Sequence, residues 1–279
     1  MSSTVLGLVR ASHPEPTVAV TTVAGLLAVG VGHPPGGVLA VVLTVAASQF
    51  AVGWTNDLLD ADRDAVVGRT DKPLASGALG RRTVAVAAAV AATATVALAL
   101  TTNPTAALCA TVALVSALLY DWPLKSTPIS VLPYAISFGA LPAFVVLALP
   151  GAPPPPAWLV AAAALLGAGA HFANVLPDFA DDARTGVRGL PHRLGPVGSR
   201  VAAVGLLIAA TVTLVFGPPG PPTRVGLAAV VAAVVIFTLA WYLGRGGGRG
   251  GDRPVAAFRA VLLVALIDVV LLVTNGRLG

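Results

Sequence analysis

Two short stretches hold most of the carboxylates in this chain: Asn56-Asp57-Leu58-Leu59-Asp60-Ala61-Asp62-Arg63-Asp64 and Asp178-Phe179-Ala180-Asp181-Asp182. With Asp71 they account for eight of the twelve acidic residues, in a sequence that is 56% hydrophobic and 10% charged. On a helix, Asn56, Asp60 and Asp64 repeat at i, i+4 and i+8. Asp57 lies three residues before Asp60, so all four share a face while Asp62 points elsewhere. In the second stretch Asp178 and Asp182 are i, i+4. Asn174 precedes them by one turn and His171 by nearly another, which predicts a second stripe of ligands on one helix. Like charges at this spacing repel, and a hard divalent cation removes the repulsion. Oxygen donors without cysteine favour Mg²⁺ or Ca²⁺ over zinc. Mg²⁺ takes one or two carboxylates and completes its shell with water and phosphate oxygens. Arg69 and Lys72 follow the first stretch, Arg184, Arg188 and Arg193 follow the second, and Lys125 lies between. Metal ions together with such cations suit the stabilisation of a diphosphate leaving group.

The elements that position these groups are membrane helices. Mean hydropathy is +0.88, and apolar runs long enough to cross a hydrocarbon layer of roughly 30 Å recur along the chain. Nine helices are expected, at about 17–33, 37–59, 83–102, 104–120, 128–149, 157–179, 198–217, 224–243 and 254–274. Turn-forming Pro and Gly lie between them, as in His33-Pro34-Pro35-Gly36 and Pro153-Pro154-Pro155-Pro156. The basic residues check this alternation. Fifteen of the seventeen Lys and Arg fall on one side, and only Arg224 and Arg277 on the other. The positive-inside rule then puts the N-terminus and both acidic stretches in the cytoplasm and the C-terminus outside, in the cell membrane. The first sixteen residues lack the apolar stretch of a cleaved signal peptide. The lone Cys109 excludes a disulfide framework. The basic residues are scattered between spans, which argues against nucleic acid as a partner.

Three ordered motifs carry a resemblance. Asn56-Asp57-x-x-Asp60-x-x-x-Asp64, followed by Arg69-x-x-Lys72-Pro73-Leu74-x-Ser76-Gly77, resembles the first signature of the UbiA superfamily of intramembrane prenyltransferases. Asp178-x-x-x-Asp182-x-x-x-Gly186, with Gly189-Leu190-Pro191-x-Arg193-Leu194-Gly195, resembles the second. Tyr120-Asp121-Trp122-Pro123-Leu124-Lys125 is similar to the tyrosine-to-lysine motif between them. Lys72 stands where the family commonly has Arg, which keeps the charge but loses the bidentate fork.

The resemblance implies an all-α integral membrane protein: one domain over residues 1–279, with nine transmembrane helices around a central cavity open to lipid. It implies Mg²⁺-dependent ionisation of a prenyl diphosphate and transfer of the isoprenoid to a small aromatic or lipid acceptor. By matching position, Asn56, Asp57, Asp60, Asp64, Asp178 and Asp182 would hold Mg²⁺-diphosphate. Asp57, Asp60, Asp178 and Asp182 would then be catalytic, with Tyr120 near the reacting carbon. Arg69, Lys72, Lys125, Asn174 and Arg188, with Asn56, would bind substrate. A terpene cyclase of the same superfamily, which needs no acceptor, uses the same metal machinery. The early helix offers only Thr17, Thr21 and Thr22 as polar groups for an acceptor.

Other polar residues have plainer readings. His171 suits a hydrogen-bonded core position or a cavity wall. Asp268 in the ninth helix suits structural pairing or protonation. Asp62 and Asp181 face away from the ligand stripes. Trp54, Phe138, Phe144 and Phe172 either pack or line a prenyl tunnel, and Trp241 and Tyr242 fit an interfacial aromatic belt. Use of the carboxylates for ion transport is disfavoured by the phosphate-binding bases and the motif order.

Overall fold

A computed structural model describes residues 3–69 and 71–245 (the backbone alone at 3, 180 and 240–245), together with Val264, Leu266, Ile267 and Val270. The described chain is helical, with no strand. Ten α-helices run in order: α1 Ser3–Ala11, α2 Pro14–Val31, α3 Pro35–Val66, α4 Arg81–Leu100, α5 Pro104–Asp121, α6 Val131–Leu147, α7 Ala157–Val175, α8 Phe179–Thr185, α9 Leu190–Phe216 and α10 Arg224–Arg245. A single 3-10 turn, Leu124–Ser126, lies between α5 and α6. Six helices (α2, α3, α4, α5, α7 and α9) are long and apolar enough to cross a membrane, and two shorter apolar stretches lie in α6 and α10. Large apolar side chains such as Val86, Val90, Leu108, Val201 and Val231 are exposed along these helices. That is the surface a bilayer would cover.

Eight of the nine expected helices have a counterpart here. The ninth, with Asp268, lies almost wholly outside the described residues. Two helices were not expected. α1 is short and precedes the first span. α8 carries most of the second acidic stretch, because α7 stops at Val175 instead of running to residue 179. Pro177 explains the stop: it has no N–H for the carbonyl of Ala173, and its ring crowds that carbonyl. Leu176 N–H takes the Ala173 carbonyl instead, at 3.3 Å. In the opposite direction, α3 runs past residue 59 to Val66, so the whole first stretch is helical.

Helix starts are set by proline at the first turn of α2, α3, α5 and α9. α5 has the fullest cap. Asn103 Oδ1 accepts the Ala106 N–H at 2.9 Å, and its amide donates to the Leu147 carbonyl at 2.6 Å. α9 is broken near its start, where Gly195 takes φ +73° before Pro196.

The chain divides into two compact units, residues 1–123 with 144–153, and residues 124–143 with 154–279. In the first, α3 packs on α2, α4 and α5. Its surface beside Gly53 lets another backbone in: a Cβ there would lie 2.7 Å from the Ser12 carbonyl oxygen. In the second, α7 packs on α9. Gly167 and Gly169 make its contacts close, since a Cβ on Gly167 would lie 2.6 Å from the Tyr134 carbonyl and one on Gly169 would lie 2.8 Å from Leu207 Cγ. Small residues at helix crossings are a membrane-protein solution, because lipid supplies no hydrophobic drive for helices to associate.

Candidate active site

The first acidic stretch lies on the last turns of α3, and its donors face two directions. Asn56 and Asp60 turn toward the end of α5. The Asn56 amide donates to Asp121 Oδ1 at 3.1 Å and lies 3.5 Å from Asp60 Oδ2. Asp121 is buried, and Asp60 also pairs with Arg63 one turn on. Asp57 faces the chain between α1 and α2. It is 1% exposed, and its Oδ1 meets both the Lys72 ammonium and, at 3.0 Å, His13 Nε2. Its Oδ2 is buried and accepts no hydrogen bond. Lys72 Nζ lies 3.2 Å from the same His13 nitrogen. Asp64 is half-buried near the end of the helix, and Tyr120 is half-buried beside Asp121.

The loop after α3 brings Lys72 back to Asp57. Arg69 N–H bonds to the Asp64 carbonyl at 2.9 Å, and Ser76 N–H to the Lys72 carbonyl at 3.0 Å. Gly77 makes the reversal with φ +73°, a region that favours glycine. Leu74 and Leu79 anchor the loop in a cluster with Ala11, Ala61 and Val84. Arg69 does not share Lys72's position. It forks onto Asp71, with Nε at 3.0 Å and an Nη at 3.1 Å from the two carboxylate oxygens. Those hydrogen bonds hold the Asp71 carboxyl below its ordinary value.

The second acidic stretch is not one stripe. Asn174 belongs to the last turn of α7, where its amide donates to the Tyr134 hydroxyl at 3.1 Å. Asp178 lies in the turn that follows, at the N-cap of α8, and Asp182 lies within α8. The expected i, i+4 pairing survives locally, since Asp182 N–H bonds to the Asp178 carbonyl at 2.8 Å. Beyond it, Gly186 in the left-handed region ends α8. His192 Nε2 stands 3.3 Å from Asp182 Oδ2, and its ring packs on Phe179 at 4.6 Å.

The segments that carry Lys125 and Arg188 approach each other through backbone. Gly189 lies so close to the 3-10 turn that a Cβ on it would be 2.4 Å from the Lys125 carbonyl. Ser130 Oγ accepts the next N–H, that of Leu190, at 2.9 Å. The same hydroxyl faces His171 Nε2 at 3.0 Å. His171 is fully buried, so the core reading holds. Arg188 is exposed beside this seam.

Asp62 pairs with Arg81, and Asp181 with Arg184 at 2.9 Å, so both turn outward as expected. Trp54 donates to the Leu8 carbonyl at 2.9 Å, and Phe144 and Phe172 are buried. These three pack. Sequence reasoning missed His13, Asp121 and His192. Asp121 lay inside the tyrosine-to-lysine motif and His192 at an unassigned position of the second signature. His13 had only one signal, a polar residue ahead of a helix-starting proline.

Among the described residues, no three Asp, Glu, His or Cys side chains converge as a ready metal cage. The donors nevertheless suit Mg²⁺. They are oxygen atoms at helix ends, one of them a buried carboxylate oxygen without a hydrogen bond, and Mg²⁺ draws most of its shell from water and phosphate.

The model of the UbiA prenyltransferase family matches residues 18–265. This chain belongs to that family. It is accordingly an enzyme of the prenyltransferase class and a multi-pass membrane protein. A digeranylgeranylglyceryl phosphate synthase of Methanopyrus kandleri is 31% identical over 255 residues, which is 89% of this chain and 92% of that protein. Among solved structures, a UbiA homologue from Archaeoglobus fulgidus bound to GPP and Mg²⁺ has a TM-score of 0.73 at 17% identity. It covers 97% of this chain and 98% of its own. The apo UbiA homologue from Aeropyrum pernix K1 also has a TM-score of 0.73, at 23% identity, covering 94% and 96%. These likenesses establish the fold.

Proposed function

We propose that this UbiA-family member is a Mg²⁺-dependent intramembrane prenyltransferase that ionises a prenyl diphosphate and joins the isoprenoid to a small acceptor, aromatic or lipid. The observation that carries the reading is the acidic end of α3 with a lysine held against it: Lys72 meets Asp57 within the stretch that also holds Asn56, Asp60 and Asp64. The Mg²⁺ and GPP named for the Archaeoglobus homologue support the metal and the donor class. The name of the Methanopyrus relative supports a lipid acceptor.

In this reading Asn56, Asp57, Asp60, Asp64, Asp178 and Asp182 would hold Mg²⁺. The bound metal neutralises diphosphate charge and lowers the barrier to C–O cleavage. Lys72, Lys125 and Arg188 donate to diphosphate oxygens, and Arg69 joins them by leaving Asp71. Asn174 borders the substrate, and Tyr120 lies near the reacting carbon. The C–O bond breaks with its electron pair leaving on the diphosphate. The allylic cation bonds to the acceptor, which gives up a proton. Apolar walls keep water from the cation. Both acidic ends and the N-terminus face the cytoplasm, and the C-terminus faces outward.

Purified protein incubated with Mg²⁺ and C10 to C20 prenyl diphosphates tests this directly. Pyrophosphate release that depends on an added quinone precursor or lipid phosphate supports transfer. Cyclised hydrocarbon without any acceptor replaces transfer with cyclisation. Absence of pyrophosphate release under all of these conditions refutes the reading.

A further inference from the structure

We propose that His13 is a positioning residue for Lys72: through Asp57 it fixes the ammonium that meets the diphosphate. The inference rests on the diphosphate reading above and concerns a residue outside all three sequence motifs.

His13 precedes α2 in the left-handed region, φ +52° and ψ +69°, and is the only described non-glycine residue with positive φ. Such a conformation is uncommon for a side chain with a Cβ and persists only where its surroundings hold it. The position is that of an N-cap, yet the imidazole makes no cap hydrogen bond. It reaches across to α3, where Nε2 stands 3.0 Å from Asp57 Oδ1 and 3.2 Å from Lys72 Nζ. The turn that carries it is fastened from two other sides. Thr17 Oγ1 donates to the Ser12 carbonyl at 2.8 Å, and the bare face of Gly53 admits that same carbonyl.

The chemistry is that of a steered cation. A lysine ammonium has three N–H donors on a flexible stem. Asp57 takes one, and His13 either takes a second or holds the Asp57 oxygen that receives the first, which narrows the directions left for a diphosphate oxygen. The imidazole nitrogen either donates to Asp57 or accepts from Lys72, and either bond closes the triangle. A lysine lacks the self-orienting fork of a guanidinium, so its direction must come from neighbours. His13 supplies a neighbour that the acidic motif alone lacks.

The test measures binding of inorganic pyrophosphate with Mg²⁺ to the detergent-purified full chain by calorimetry. His13→Gly removes the imidazole at a backbone position glycine occupies freely. The expected loss is roughly tenfold in affinity, the scale of one charge-assisted hydrogen bond. Lys72→Met should lose at least as much, and the double variant should bind no more weakly than Lys72→Met alone. Wild-type affinity in His13→Gly, or additive losses in the double variant, overturns the inference and leaves the diphosphate reading standing. A wild-type protein that binds no Mg²⁺-pyrophosphate overturns both. Melting temperatures without pyrophosphate report the fold separately. If His13→Gly does not purify folded, His13→Asn, which also tolerates the left-handed region, is judged by the same outcomes.

Discussion

Gly53→Ala places one methyl group where α3 meets the turn before α2. The new Cβ would lie 2.7 Å from the Ser12 carbonyl oxygen, 2.9 Å from its carbon and 3.1 Å from its Cα. All three are backbone atoms, so no rotamer change relieves the overlap. Non-bonded heavy atoms are comfortable at about 3.5 Å and beyond, and the turn must retreat by roughly 0.8 Å or more. Overpacking of this kind costs about 1–3 kcal/mol, offset by about 1 kcal/mol of helix propensity gained over glycine. The net loss of up to about 2 kcal/mol corresponds to a melting temperature lower by several degrees. The retreat also carries His13 with it. Its 3.2 Å approach to Lys72 would open past the roughly 3.5 Å at which a hydrogen bond is lost. Gly53→Ala should therefore melt lower and also bind Mg²⁺-pyrophosphate roughly tenfold more weakly, the scale of one charge-assisted bond. Gly205→Ala is the control. Nothing lies within 4 Å of its Cβ position, so it should melt at or above wild type with unchanged affinity. A Gly53→Ala protein that matches wild type in both melting and pyrophosphate affinity would refute the close-approach argument.

Asp60→Ala and Asp182→Ala should each abolish pyrophosphate release while the protein still elutes as a folded species in detergent, and full turnover in either removes that residue from the metal assignment. Asn103→Ala removes both the α5 cap and the bond to the Leu147 carbonyl. A loss of about 1–2 kcal/mol is expected, read as a lower melting temperature with normal pyrophosphate affinity. Asp71 should titrate below its ordinary 3.8 in carboxyl carbon NMR, and Arg69→Gln should move it back up. The sign follows from linkage: stability from the Arg69 fork is full above the unfolded value and lost as pH falls through the lowered one. An unchanged Asp71 titration in Arg69→Gln would show that the fork does not lower it.

The apolar helices were legible because hydropathy and proline-rich turns write them at low resolution. The face shared by Asn56 and Asp60 was legible because α3 stays helical throughout the stretch. The second stripe failed at one residue. Pro177 breaks the ladder, and the i, i+4 pattern of Asp178 and Asp182 reappears in a separate short helix. His13 and Asp121 were missed for a different reason. Their contacts to Asp57 and Asn56 span 44 and 65 positions, and no periodicity reports a contact made through tertiary folding. Arg69 and Lys72 looked equivalent in the motif. Only the loop's hydrogen bonds show that one forks onto Asp71 while the other turns inward.

α3 is 32 residues long. At 1.5 Å per residue it spans roughly 48 Å, against a hydrocarbon thickness of roughly 30 Å. Measured from Pro35, Asn56 falls about 32 Å along the rod, close to where oil gives way to headgroups. A substrate with a greasy tail and a charged head already sits across that boundary. It need not be lifted out of the bilayer to be used. Under the proposed function, the supply of such a substrate would be set by lateral diffusion and surface density in the leaflet, and turnover should follow the mole fraction of prenyl diphosphate in the membrane rather than its concentration in bulk water.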